Sequence, residues 1–108
     1  MPKRMLLIAT VNGPREVEGT VMRLKVGAQM VRFFVHEWQG QTVLTHYASG
    51  RRVGQLGPIK LAHAVRWGTG GQMNDRAAAE ALIAQAVEKN GVDRVMAVFA
   101  EAPVINPT

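Results

Sequence analysis

The chain reads as an α+β domain: an antiparallel β-meander, one main amphipathic helix packed on one sheet face, and a C-terminal buried strand. Three observations carry that expectation. Residues 18–56 alternate apolar and polar side chains between turn signals, the period of strands with two unlike faces. Residues 75–90 are rich in alanine and place Ala79, Leu82, Ile83, Ala86 and Val87 on one helical stripe. Residues 94–100, Arg-Val-Met-Ala-Val-Phe-Ala, form a short continuous apolar run, as a strand covered on both faces would.

With 108 residues, 47% of them hydrophobic and 19% charged, the chain is long enough for one core and ordinary in composition. Residues 1–108 are read as one domain, with residues 101–108 and their two prolines as a tail. There is no cysteine, which removes disulfides, thiolate metal sites and cysteine nucleophiles and points to a reducing, cytoplasmic setting. No apolar stretch approaches the ~20 residues that span a bilayer, so no membrane partner is expected.

Taken in order, Met5–Val11 is a continuous apolar run ended by Asn12-Gly13-Pro14, read as a central strand buried on both faces. With Lys3-Arg4 before it the run has the outline of a secretory signal, but no small-x-small cleavage site follows. Next, Met22, Leu24 and Val26 alternate with Val21, Arg23 and Lys25 up to Gly27-Ala28, where glycine first suits a two-residue hairpin loop. Gln29–Trp38 follows, then the turn Gln39-Gly40, a strand over Thr42–Tyr47, the turn Ala48–Arg51, and Arg52–Leu56. The segment 58–67 is ambiguous: Gly57-Pro58 can open a helix, yet Ile59, Leu61, Val65 and Trp67 follow period two, and the strand reading is taken. Gly68-Thr69-Gly70-Gly71 is a loop, Asn74 or Asp75 caps the helix, and Asn90-Gly91 ends it. If 59–67 and 94–100 are parallel strands of one sheet, the crossover between them is right-handed.

Two-residue loops in both hairpins would set Met22, Leu24, Val26, Val31, Phe33, Val35 and Leu44 on one side, the core beneath the helix. Phe33, Val31 and Leu44 are then expected to be more buried than Arg32, Phe34 and Thr45. The other side carries Val21, Arg23, Lys25, Arg32, Phe34, His36, Trp38, Val43, Thr45 and Tyr47, with Arg51 and Arg52 extending it at a turn. Arg23 would stand opposite Arg32, a like-charge pair that is unfavourable unless solvent or an anion intervenes.

No catalytic motif is present. The only serine, Ser49, lies in Tyr-Ala-Ser-Gly-Arg, which lacks the Gly-x-Ser-x-Gly elbow and reads as a turn. His36, His46 and His63 have no metal-ligand spacing, and with a two-residue Gln39-Gly40 loop His36 and His46 point to opposite faces; no metal or cofactor is expected. The loop Gly68, Thr69, Gly70 and Gly71 before a helix could hold an anion, but Met73 stands where a dinucleotide fingerprint needs glycine.

Charge is uneven along the chain: residues 1–70 hold ten Lys or Arg against three Glu, while residues 71–108 hold three basic and five acidic groups. A basic sheet face with interleaved aromatics is what single-stranded nucleic acid binding uses, rings stacking bases and cations tracking phosphates. The leading expectation is therefore a non-enzymatic module for an anionic partner, nucleic acid or an acidic protein surface. The alternatives are a homo-oligomeric or adaptor protein burying that same face, and a small-ligand or enzyme site at Gly68–Gly71.

Overall fold

The structure, a computed structural model, describes residues 3–67 and 73–107. Five strands form one antiparallel sheet in sequence order: β1 (Arg4–Thr10), β2 (Gly13–Val26), β3 (Gln29–Trp38), β4 (Gln41–His46) and β5 (Arg52–Gln55). Three helices follow, α1 (Gly57–Trp67), α2 (Asp75–Asn90) and α3 (Val92–Glu101). The meander and its loops are as expected: Val26 pairs with Gln29 and Trp38 with Gln41, so both hairpins turn through two residues. Arg23 accordingly faces Arg32, and His36 faces Val43.

One sheet face packs under the helices. Met22, Leu24, Val26, Phe33, Val35 and Leu44 are buried against Ala78, Ala79 and Ile83 of α2 and Val95 of α3. Helix α2 keeps its expected bounds, with Asn74 Oδ1 accepting from the Ala77 N–H at 2.7 Å as its cap. Asp75 instead makes an ion pair with Lys60 of α1.

Three expectations about the elements are corrected. The 94–100 run is not a buried strand but most of α3, whose inward side is Val92, Val95, Met96 and Phe99, spaced i, i+3, i+4, i+7. A short apolar run fits either period, and here the helical one matches what is packed. Residues 58–67 are likewise helical, with Pro58 in the first turn, where a missing N–H costs nothing. Both Leu61 and Val65 point outward, which the period-two reading could not distinguish from a strand face. With both segments helical, the parallel strand pair and its crossover do not exist, and one main helix becomes three.

The run Met5–Val11 is corrected too: β1 is the first strand in the order, not a central one, and Met5 and Val11 are exposed. Its free edge is nevertheless occupied. The Ala9 N–H donates to the Gly50 carbonyl at 2.9 Å, and buried Asn106 accepts from the Leu7 N–H at 2.9 Å while donating to the Leu7 and Tyr47 carbonyls at 2.7 and 2.8 Å. The segment read as a tail thus docks on the sheet. Joining β1 to the β4–β5 connection requires the sheet to curl, and β2 provides the bend: its first half pairs with β1 and its second with β3, parting at Gly19. A Cβ on Gly19 would lie 3.0 Å from the Val35 carbonyl oxygen and 3.1 Å from Phe34, so a side chain there would be tightly crowded.

Candidate functional site

Curling gives the second sheet face a core of its own. Leu6, Ile8, Val17, Phe34 and Tyr47 form a buried cluster with Val21 and Trp38 packed against it. The register expected from the sequence is right, yet the difference in exposure expected from it is absent: Phe33 and Leu44 are fully buried, but so are Phe34 and Thr45, at 0% and 1% exposure, and Val31 and Arg32 are both half-buried. The open aromatic face is corrected to a concave interior roofed by β1.

The interior divides the expected site residues between its two ends. At one end lie Arg23, Lys25, Arg32 and Tyr47. The Arg32 guanidinium sits over the Tyr47 ring, 4.4 Å from its centroid, and Arg4 of β1 donates to the Tyr47 hydroxyl. Cation–π attraction to Tyr47 holds the Arg32 guanidinium, while Arg23 opposite it is exposed to solvent. Phe34 occupies the middle, edge-on to Tyr47 with ring centroids 6.4 Å apart.

The other end is open. Because β2 leaves β3 at Gly19, the β1–β2 hairpin and the β3–β4 hairpin separate, and a cleft of about 700 Å³ lies between them. His36, Trp38, Arg51 and Arg52 line it, joined by Arg15 and Thr45. Trp38 is half-buried on one wall. Arg15, Arg51 and Arg52 are exposed, and among the described residues none has a carboxylate oxygen within 4.0 Å. Arg51 leans toward α3, its Nη1 at 3.5 Å from the Val98 carbonyl oxygen. Arg15 was missed by the sequence reading, which began the second strand at Glu18; the Thr10–Gly13 pairing places it opposite Ile8, on the concave face.

His36 and Thr45 close the cleft floor. His36 Nε2 lies 2.7 Å from Thr45 Oγ1, and Nδ1 lies 3.3 Å from the Glu37 carbonyl oxygen. That carbonyl can only accept, so the fitting arrangement protonates Nδ1 and lets the threonine hydroxyl donate to Nε2. Burial lowers the His36 pKa from 6.5; the Glu37 carbonyl and carboxylate oppose the shift, and the Arg52 charge reinforces it. The imidazole is therefore neutral at pH 7. Its buried nitrogens are both partnered, which is a structural role.

His46 points to the opposite face, as the two-residue loop requires. Its Nδ1 lies 2.7 Å from Ser49 Oγ, and its ring stacks on Phe99 of α3 at 4.1 Å between centroids. Ser49 is a buried turn residue whose hydroxyl also accepts from the Arg51 N–H. No group of His, Asp or Glu that could hold a metal ion occurs among the described residues. Among them, no helix is long and apolar enough to cross a membrane. The anion loop Gly68–Gly71 lies outside the described residues. Compared with models of protein families, with curated proteins and with solved structures, the chain matches none.

Proposed function

We propose that the chain is a non-enzymatic binding module for an anionic partner, single-stranded nucleic acid, held at the cleft between the two hairpins. One observation carries this reading: Arg15 of β2 and the adjacent Arg51 and Arg52 line one cleft with a half-buried tryptophan, and among the described residues none of the three has a carboxylate oxygen within 4.0 Å. Unneutralised guanidinium groups attract phosphate and can grip it through paired N–H donors. An indole wall stacks a base of any sequence. The site is smaller than the whole basic face read from the sequence, since Phe34 and Tyr47 are packed inside.

The test is titration of a fluorescent single-stranded oligonucleotide at several salt concentrations. Trp38→Ala should cost on the order of 1–3 kcal/mol through lost stacking. Arg52→Ala should weaken binding to different sequences alike and reduce the slope of log K against log salt by about 0.7. Arg32→Ala, at the far end and engaged with Tyr47, should change affinity much less. No measurable binding at low salt, where phosphate attraction is strongest, would exclude the reading.

The alternative, a homo-oligomeric or adaptor protein burying the same face, keeps only part of that face, because Phe34 and Val43 are buried within the chain while Met30 is exposed and Trp38 half-buried. It is now supported by Leu61 and Val65, which lie one turn apart on α1 and are 67% and 80% exposed. A molar mass that grows with concentration, and falls back in a Val65→Glu variant, would favour it.

A further inference from the structure

Resting on the reading of the cleft as a phosphate-binding site, we infer that it takes one nucleotide unit at a time: a single base with its attached phosphate, as in a mononucleotide. Three features of the cleft point to that ligand class.

First, the concave face offers one ring for stacking. Tyr47 is 4% exposed, with Arg32 over its ring and Phe34 at its edge, and Phe34 is fully buried. A run of stacked bases needs successive exposed rings, and among the described residues Trp38 has no second one beside it on this face.

Second, the cleft is blind. Its floor is shut by Val43, His36 and Thr45, all at most 4% exposed, and the buried rings of Phe34 and Tyr47 lie outside its lining. A chain cannot thread through to the Arg23/Arg32 end. The volume of about 700 Å³ falls within the range of small-molecule sites.

Third, polarity is graded from mouth to floor. Exposed Arg15 and Arg52 hold the mouth, whereas the floor is apolar or, at His36 and Thr45, neutral and internally hydrogen-bonded. Burying a charge against that floor would be costly, while a flat uncharged ring suits it. The complementary molecule has an anionic head and a planar neutral body, and a nucleoside monophosphate combines the two.

Isothermal titration calorimetry on the intact chain tests this with adenosine monophosphate, adenosine, inorganic phosphate and oligonucleotides of three, six and twelve residues. The monophosphate should bind and displace the oligonucleotides, with adenosine and phosphate each at least about tenfold weaker than the combined ligand. Arg15→Gln and Arg52→Gln should each weaken the monophosphate about tenfold and leave adenosine unchanged, while Trp38→Phe keeps the binding that Trp38→Ala loses. Retention in Trp38→Phe shows that lost binding in Trp38→Ala reflects the ring and not the fold. If the twelve-residue strand binds but the monophosphate neither binds nor competes, the single-unit inference is overturned while the nucleic-acid reading stands. If phosphate binds as tightly as the monophosphate, the site is a plain anion site and the inference is again overturned. Binding of none of the probes overturns both.

Discussion

The two faces of the sheet each bury a hydrophobic cluster, by different means. The convex face is covered by α2 and α3, a separate layer whose apolar stripes meet those of the strands. The concave face has no helix over it; β1 and the first half of β2 fold back over β3 and β4, so the sheet is its own cover. The comparison teaches that a polar residue in a strand's alternating pattern does not by itself mark solvent. Thr45 and His36 are buried, with Ile8, Ala9 and Thr10 of the distant strand β1 lining the same cleft. Self-cover also leaves a gap where the covering hairpin parts from its neighbour, and that gap is the cleft.

The largest test of this contrast is a pair of truncations. Phe33→Ala on the helix side and Phe34→Ala on the curled side should each cost about 3–5 kcal/mol in denaturant unfolding, since both rings are fully buried. A cost below about 1 kcal/mol for Phe34→Ala alone would mean that the concave face is open in solution.

Gly50→Ala probes the seam where the curl closes. Gly50 has φ +65°, and a Cβ there would lie 2.3 Å from the Ile105 side chain and 2.9 Å from the Leu7 carbonyl oxygen. Left-handed backbone strain and overpacking together predict a loss of about 2–4 kcal/mol. Asn106→Ala removes the clamp on the same seam and leaves the Leu7 N–H and carbonyl without their side-chain partner. It should cost about 1–3 kcal/mol. Amide exchange should quicken at Leu7 and Ala9 while the α2 amides keep their protection; a uniform acceleration would show that the two faces unfold as one unit.

The smallest effect is that of pH. His36 inside the curl and His46 beneath α3 both have pKa values lowered from 6.5 by burial, so the unfolded chain binds their protons more readily. Stability is then full above about pH 6.5 and declines as pH falls below it, by at most about 1.4 kcal/mol per pH unit for each group. His46→Gln should flatten the helix-side share of that decline and His36→Gln the curl-side share, as read from midpoints of urea unfolding between pH 5 and 8. An unchanged slope in either variant would remove that histidine from the account.

Much of the fold was legible because it rests on local chemistry. The loops Gly27-Ala28 and Gln39-Gly40 set the hairpin registers, and from them the partners Arg23/Arg32 and His36/Val43 followed. The alanine-rich stripe, with Asn74 or Asp75 as its cap and Gly91 after it, marked the extent of α2, and the structure makes Asn74 the cap. The readings that failed did so for identifiable reasons. Residues 94–100 are a run too short and too apolar for one period to exclude the other, although Val92, Val95, Met96 and Phe99 already carried the helical spacing. Of the candidate site, Trp38, His36, Arg51 and Arg52 were picked out, but as one surface with Arg23, Lys25, Arg32, Phe34 and Tyr47.

What the amino-acid sequence determined alone is which side chains share a face and which strands are neighbours, because alternation and turn geometry act over a few residues. Only the tertiary structure decided which faces meet water. That outcome depends on contacts such as Ala9 with Gly50 and Leu7 with Asn106, whose partners lie 41 and 99 positions apart. No periodicity within a strand specifies the curvature that brings such partners together, so the roofing of Phe34 and Tyr47, and the cleft left open beside Trp38, emerge only when the sheet closes on itself.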